Sequence, residues 1–208
     1  MTEDEARAWI AARWDVSRGT MLSRFAELLI EETGQQNLIS ASTVPSLWVR
    51  HIVDSAQLAL CTEHAGTGEW IDIGTGAGLP GLVVAILDSR RRFTLVEPRA
   101  KRVAFLDRCI ETLGLADRVT VVASRIERHR LSRPAAVISA RAVAALPDLF
   151  SAARHCADRN TLWLLPKGRN AQSEVEAARL TWQGSFHVEQ SITDPESGIV
   201  VAREVRPR

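Results

Sequence analysis

The 208-residue sequence contains no tyrosine, so no phenol is available as an acid, a base or a stacking platform. Lysine is nearly absent too: Lys101 and Lys167 stand against 24 arginines, which makes the placement of each lysine informative. Cysteine is limited to Cys61, Cys109 and Cys156, odd in number, widely spaced and without a Cys-x-x-Cys pair. That pattern argues against a disulfide framework and a structural zinc site, and reads as reduced, buried thiols; no metal site is expected. The longest apolar run, Leu79 to Leu87, is interrupted in character by Pro80 and Gly81. It falls far short of the roughly 18–20 residues a membrane span needs. The opening MTEDEARAWI has no basic stretch, so it does not read as a signal peptide, and a cytoplasmic location is expected.

Excess charge is also missing. The net charge is +1, with 46% hydrophobic and 25% charged residues, the balance of an ordinary folded protein. Binding to nucleic acid through bulk positive charge is excluded, but a local basic face is not. Residues 1–33 sum to −3 and 34–89 to −4, whereas 90–133 carry 12 basic residues against 5 acidic ones. Arg90, Arg91, Arg92, Arg99, Lys101, Arg102, Arg125, Arg128, Arg130 and Arg133 belong to that segment. Placed at strand ends and helix starts, they are candidates for an RNA backbone, with about half of them expected simply to face solvent.

The first third of the chain reads as helical. Glu3 to Trp14 has near-helical apolar spacing and ends at Gly19 as a breaker. Met21, Phe25, Leu28 and Leu29 form a second stripe that Gly34 is expected to end, and a third helix is predicted from about Ser46 to Leu60. Residues 62–68 read as a linker. From there short apolar runs alternate with helical patterns. Strands are predicted at Trp70–Ile73, Phe93–Val96, Val119–Ala123, Val137–Ala140, Leu162–Leu165, Phe186–Ile192 and Ile199–Val205. Helices are predicted at Gly81–Leu87, Lys101–Leu113, Leu146–Cys156 and Ser173–Trp182. This alternation predicts an α/β fold with a mainly parallel, Rossmann-like sheet. The turn-rich Asp194–Gly198 link predicts an antiparallel C-terminal hairpin. The expected organisation is a helical cap over 1–61 and a cofactor-binding unit over 69–208.

The sharpest local signal is the glycine loop after the first strand. Gly76, Gly78 and Gly81 satisfy the dinucleotide fingerprint Gly-x-Gly-x-x-Gly, while Asp72, Gly74, Gly76 and Gly78 satisfy the Asp-x-Gly-x-Gly-x-Gly pattern of S-adenosylmethionine (AdoMet) methyltransferases. Asp72 at the strand end suits the cationic amino group of AdoMet, and Pro80 removes a donor that a pyrophosphate would want. Glu97 follows the second strand, where an acid accepts hydrogen bonds from both ribose hydroxyls. This suits NAD and AdoMet alike. His51, Asp54 and Ser55 share a helical face; without an oxyanion element they are expected to tie the N-terminal helices to the glycine loop rather than to form a triad.

Asp72-Ile-Gly-Thr-Gly-Ala-Gly-Leu-Pro-Gly81 resembles the motif of the RsmG (GidB) family, methyltransferases of bacterial small-subunit ribosomal RNA. The resemblance extends to Asn37-Leu38, His51-Ile-Val-Asp-Ser55, Lys101-Arg102-Val103 with Phe105-Leu106, Ser139-Ala-Arg-Ala142 and Lys167-Gly168. It implies a class I AdoMet methyltransferase fold and methylation of guanine N7 in 16S rRNA, at position 527 in rRNA numbering. It further implies AdoMet contacts from Asp72, Gly74, Gly76, Gly78, Leu79 and Glu97, adenine contacts from Ile126 and Glu127, and a place for Arg141 between cofactor and substrate. Lys101, Arg102 and Arg125 are expected to meet the substrate, which is naked 16S rRNA or the 30S particle, and a monomer is expected. Ile39, Ala136 and Ile126 depart from the family's usual residues, and none removes a group the chemistry needs. A methyltransferase of another substrate, a NAD-binding oxidoreductase and a non-catalytic AdoMet-binding assembly factor are the alternatives.

The chemistry agrees with the resemblance. Guanine N7 carries a free lone pair, so methylation needs positioning and no general base. No Asn-Pro-Pro-Tyr element for exocyclic amines is present, and none of the cysteines follows a proline. Arg141 and Lys167, just past the ends of two predicted strands, are the candidate catalytic residues, as donors that could hold O6 while N7 stays free.

Overall fold

A computed structural model describes residues 1–63 and 65–208. The predicted linker 62–68 includes His64, which lies outside the described residues. Among the described residues seven strands form one sheet: β1 (Trp70–Ile73), β2 (Phe93–Val96), β3 (Val119–Val122), β4 (Val137–Ala140), β5 (Leu162–Lys167), β6 (Trp182–Gln190) and β7 (Gly198–Pro207). Their order is β3-β2-β1-β4-β5-β7-β6. β1 to β5 are parallel and β7 runs antiparallel between β5 and β6, as the alternation and the hairpin signal predict. β1, β2 and β4 are buried along their whole length, as strands covered on both faces must be.

The helices are α1 (Glu3–Ala11), α2 (Val16–Gln36), α3 (Asp54–Ala56), α4 (Gly81–Leu87), α5 (Ala100–Thr112), α6 (Leu146–Ala153) and α7 (Ala171–Arg179). One face of the sheet packs Trp70, Phe93 and Leu164 against α4, α5 and the N-terminal helices. The other packs Ile71, Ile138 and Trp163 against α6 and α7, with Phe150 edge-on to Trp163 at 5.0 Å. Every residue of α4 is buried, because α2 and α3 cover the side that turns away from the sheet. A helix apolar all round requires such a cover, and the N-terminal helices supply it.

Four details differ from the sequence reading. The first helix ends at Ala11, and Gly19 lies inside α2 rather than breaking a helix. Asp15 starts α2 by accepting from the Arg18 N–H (3.0 Å), and burial of Leu22, Phe25, Leu28 and Leu29 outweighs the roughly 1 kcal/mol a helical glycine costs. Gly34 is helical as well, and Asn37, left-handed at φ 49°, ends the helix. The predicted third helix is a chain of short turns of changing pitch: a 3₁₀ turn at Ala41–Ser46, a wide π turn at Trp48–Val53, α3, and another 3₁₀ turn at Gln57–Thr62. β6 begins at Trp182, which the periodicity gives to the preceding helix. The cysteines are free thiols, Cys109 and Cys156 buried. Among the described residues no helix is long and apolar enough to cross a membrane.

Candidate active site

The strand order reverses between β1 and β4, and a doubly wound sheet opens a crevice at that point, outside the carboxyl ends of its strands. The glycine loop leaves β1 there. Gly74, Gly76 and Gly78 hold φ of 62°, 59° and 85°, the left-handed region that side chains disfavour, and this curls the loop back under itself.

Asp72 anchors the loop from below. Its fully buried carboxylate accepts from the Gly81 N–H (2.9 Å) and the Ser139 hydroxyl (2.6 Å), and Ser139 in turn accepts from the Trp70 indole (2.8 Å). Glu97, also buried, accepts from the backbone N–H of Gly76 (3.0 Å) and of Arg99 (2.9 Å). Arg102 stands 3.7 Å from Glu97, beside the loop. Burial pushes the Asp72 carboxyl up from 3.8 to about 6. The folded chain therefore favours its protonated form: this contribution to stability is present below pH 3.8 and lost as pH rises through about 6, on the order of 3 kcal/mol in all. Asp72→Asn keeps an acceptor for Gly81 without the titration. Between pH 4 and 7 the melting temperature of the parent chain should fall relative to this variant; parallel curves would show that Asp72 does not titrate there.

Beside the loop lies a cavity of about 880 Å3. Of the candidate cofactor, substrate and catalytic residues, Gly74, Gly76, Leu79, Arg102, Arg141 and Lys167 line it, and His51 and Asp54 line it as well. Asp72, Gly78 and Glu97 are not among its walls; the two acids bind the loop backbone from behind, so in this arrangement Asp72 holds the helix start instead of facing the cavity. Ile126 and Glu127 form a turn after β3, Ile126 buried and Glu127 exposed, and neither lines the cavity. Lys101 and Arg125 are exposed beyond the carboxyl ends of β2 and β3.

Both candidate catalytic cations are ion-paired. Arg141 Nη1 bonds Asp54 Oδ2 at 2.8 Å, and Lys167 Nζ bonds Glu174 Oε2 at 2.8 Å and the Ala144 carbonyl at 2.7 Å. Asp54 Oδ1 also accepts from Gln57 (3.1 Å) and Thr193 (3.1 Å). Gln57 reaches Ser191 and the Ile192 N–H, while Arg50 pairs with Asp194 at 3.2 Å. The His51–Asp54–Ser55 face thus differs from its sequence reading. It joins the N-terminal turns to the end of β4 and to the β6–β7 connection, and Ser55 only donates to the His51 carbonyl (2.6 Å). His51 bonds Thr43 (2.8 Å), and burial, reinforced by Arg141 and Arg50, pushes it down to about 4, so it is neutral at pH 7. Gln57, Glu174 and the 191–194 connection escaped the sequence reading: they carry no motif, and only the fold brings them to the site.

The basic segment divides. Arg91 is buried in an ion pair with Asp88 and also donates to Gly66, so it cannot face RNA. Arg90 and Arg92 precede β2 and lie at the end of the sheet opposite the cavity, because the parallel strands point their carboxyl ends to the other side. Arg99, Lys101, Arg125 and Arg128 are exposed and follow the carboxyl ends of β2 and β3.

A doubly wound sheet of this order, with a left-handed triple-glycine loop at its switch point, is the fold of the class I AdoMet-dependent methyltransferases. Solved structures agree on that fold. A methyltransferase from Geobacter sulfurreducens is similar with a TM-score of 0.59 at 14% identity, over 86% of this chain and 88% of that one. A mutant of MtNAS in complex with S-adenosylmethionine is similar with a TM-score of 0.58 at 16% identity, over 90% of this chain and 76% of that one. The family described as rRNA small subunit methyltransferase G (GidB) matches residues 19–199. The chain is 53% identical to the ribosomal RNA small subunit methyltransferase G of Rhizorhabdus wittichii, over 100% of this chain and 95% of that protein. It is 46% identical to that of Novosphingobium aromaticivorans, over 98% and 89%. The chain belongs to the rRNA small subunit methyltransferase G family.

Proposed function

We propose that this chain transfers the methyl group of AdoMet to N7 of a guanosine in 16S rRNA, at position 527 in rRNA numbering, acting as a monomer in the cytoplasm. The observation that carries this reading is a shared cavity in which the family's glycine loop meets Arg141 and Lys167. The loop suits a cofactor without phosphate. The Gly81 N–H, at the start of α4, is already taken by the Asp72 carboxylate (2.9 Å), so a pyrophosphate would meet a negative charge where it needs donors. In this reading Gly74, Gly76 and Leu79 receive AdoMet directly; Asp72, Gly78 and Glu97 shape the loop around it, and Ile126 with Glu127 flanks the adenine. The helical segment 1–61 acts as a cap on the unit 69–208. When bound, AdoMet supplies an electrophilic sulfonium methyl group. The chain's own task is orientation, because N7 has no proton to lose. Arg141 keeps donors beyond the one given to Asp54 and can hold O6 on the same edge of the base. Neutral His51 adds no positive charge near the base as N7 becomes cationic.

The deciding experiment maps modified nucleotides in 16S rRNA with and without the gene. Loss of one 7-methylguanosine on deletion, restored by the parent chain, is the expected result; an unchanged map would overturn the reading. Lys101, Arg125 and Arg128 should act through the phosphate backbone. Each alanine substitution should reduce the slope of log binding constant against log salt by about 1, without changing the nucleotide methylated.

A further inference from the structure

Segment 141–145, between β4 and α6, runs along the cavity and is fixed at its start and at its entry into α6 by carboxylates from other elements. At its start Asp54 holds Arg141 (2.8 Å). At its other end Lys167, the last residue of β5, donates to the Ala144 carbonyl (2.7 Å) and pairs with Glu174 Oε2 (2.8 Å). The same Glu174 oxygen accepts from the Leu146 N–H (3.2 Å). Between the two anchors, Ala142 is left-handed at φ 56°, a conformation alanine keeps only where its surroundings impose it. Val143 then lies directly against the glycine loop: a Cβ built on Gly74 would come within 2.8 Å of Val143 Cγ2.

We propose that Glu174 is a positioning residue for cofactor binding. By holding Lys167 and the Ala144–Leu146 backbone together, it keeps Val143 against Gly74 and so fixes one wall of the cofactor end of the cavity. Two of the three N–H donors of Lys167 are spent on this clamp, which gives that lysine a structural task beside any contact with substrate. The proposal rests on the reading that the glycine loop holds AdoMet. Glu174 itself lies on α7, outside every motif of the sequence, and acts only through Lys167 and the segment it clamps.

The test is AdoMet binding by calorimetry on the full chain, with rRNA affinity and thermal unfolding measured alongside. Glu174→Ala should weaken AdoMet binding about tenfold, since the segment must then be ordered on binding, while rRNA affinity stays within about twofold. Glu174→Gln keeps an oxygen for Lys167 and for the Leu146 N–H, and should recover most of the loss. Val143→Gly, which leaves the ion pair intact, should weaken AdoMet binding to a similar extent. The clamp is overturned if Glu174→Ala binds AdoMet like the parent, or if AdoMet and rRNA affinities fall together in step with melting temperature. A parent chain that binds no AdoMet would overturn the cofactor reading, and this proposal with it.

Discussion

Arg141→Ala should lower the rate of methyl transfer about 100- to 1000-fold, the usual cost of removing one aimed donor from an active site, while the chain stays folded. Arg141 follows the last residue of β4, the strand beside β1 at the switch point, and lines the same cavity as Gly74 and Gly76. Asp54 holds one of its nitrogens at 2.8 Å, so the guanidinium enters the reaction already oriented and loses little freedom when substrate arrives. The fold should survive because both partners of the pair are about one-fifth exposed and Asp54 keeps Gln57 and Thr193 as donors. Arg141→Lys keeps the charge but not the planar fork and should fall between parent and alanine. Single-turnover methyl transfer to rRNA, with thermal unfolding as the control for folding, separates these effects. Full activity in Arg141→Ala would remove this residue from the mechanism.

The sequence reveals some of this arrangement and hides the rest for physical reasons. Strands such as Trp70–Ile73 and Val137–Ala140 are short apolar runs bounded by turn residues, and the sheet buries them on both faces, so pattern and position coincide. The glycine loop is legible because its glycines adopt a left-handed backbone that other residues disfavour. Arg141 and Lys167 can be placed because they fall at the carboxyl ends of strands. Their partners cannot: 87 residues separate Asp54 from Arg141, and no local pattern encodes that contact. The run Arg90-Arg91-Arg92 misleads for a related reason. A sequence displays charge but not which charge is buried, and Arg91 turns inward to Asp88 while its neighbours stay outside. Gly19 misleads as well, since a breaker in isolation is tolerated once an Asp15 cap and a buried apolar stripe carry the helix past it.

The same limit gives the glycines of this chain opposite expected responses to alanine. Gly81 is completely enclosed: an added Cβ would stand 2.5 Å from Leu95 Cδ2, 2.6 Å from Asp72 Cβ and 2.6 Å from Asp72 Oδ2. Asp72 Cβ sits directly on the β1 backbone and cannot withdraw without moving that strand, while the Leu95 methyl on β2 can turn only within a fully buried core. Overpacking of this kind costs typically about 1–3 kcal/mol, and displacing Asp72 also weakens its bond from the Gly81 N–H, worth roughly another 1–3 kcal/mol in a buried site. Gly81→Ala should therefore destabilise by about 2–6 kcal/mol, a large share of the 5–15 kcal/mol that holds a typical domain together, and lower the melting temperature by roughly 10 °C. AdoMet binding should fall with it, because Asp72 and Gly81 together set the base of the loop. Gly34, in α2, has nothing within 4 Å of its added Cβ and no left-handed backbone to preserve. Gly34→Ala should stabilise by about 0.5–1 kcal/mol through helix propensity and a less free unfolded chain. Thermal unfolding of the two variants beside the parent tests the pair. If Gly81→Ala melts within a degree or so of the parent, the packing of α4 against β1 and β2 is not as tight as these distances require.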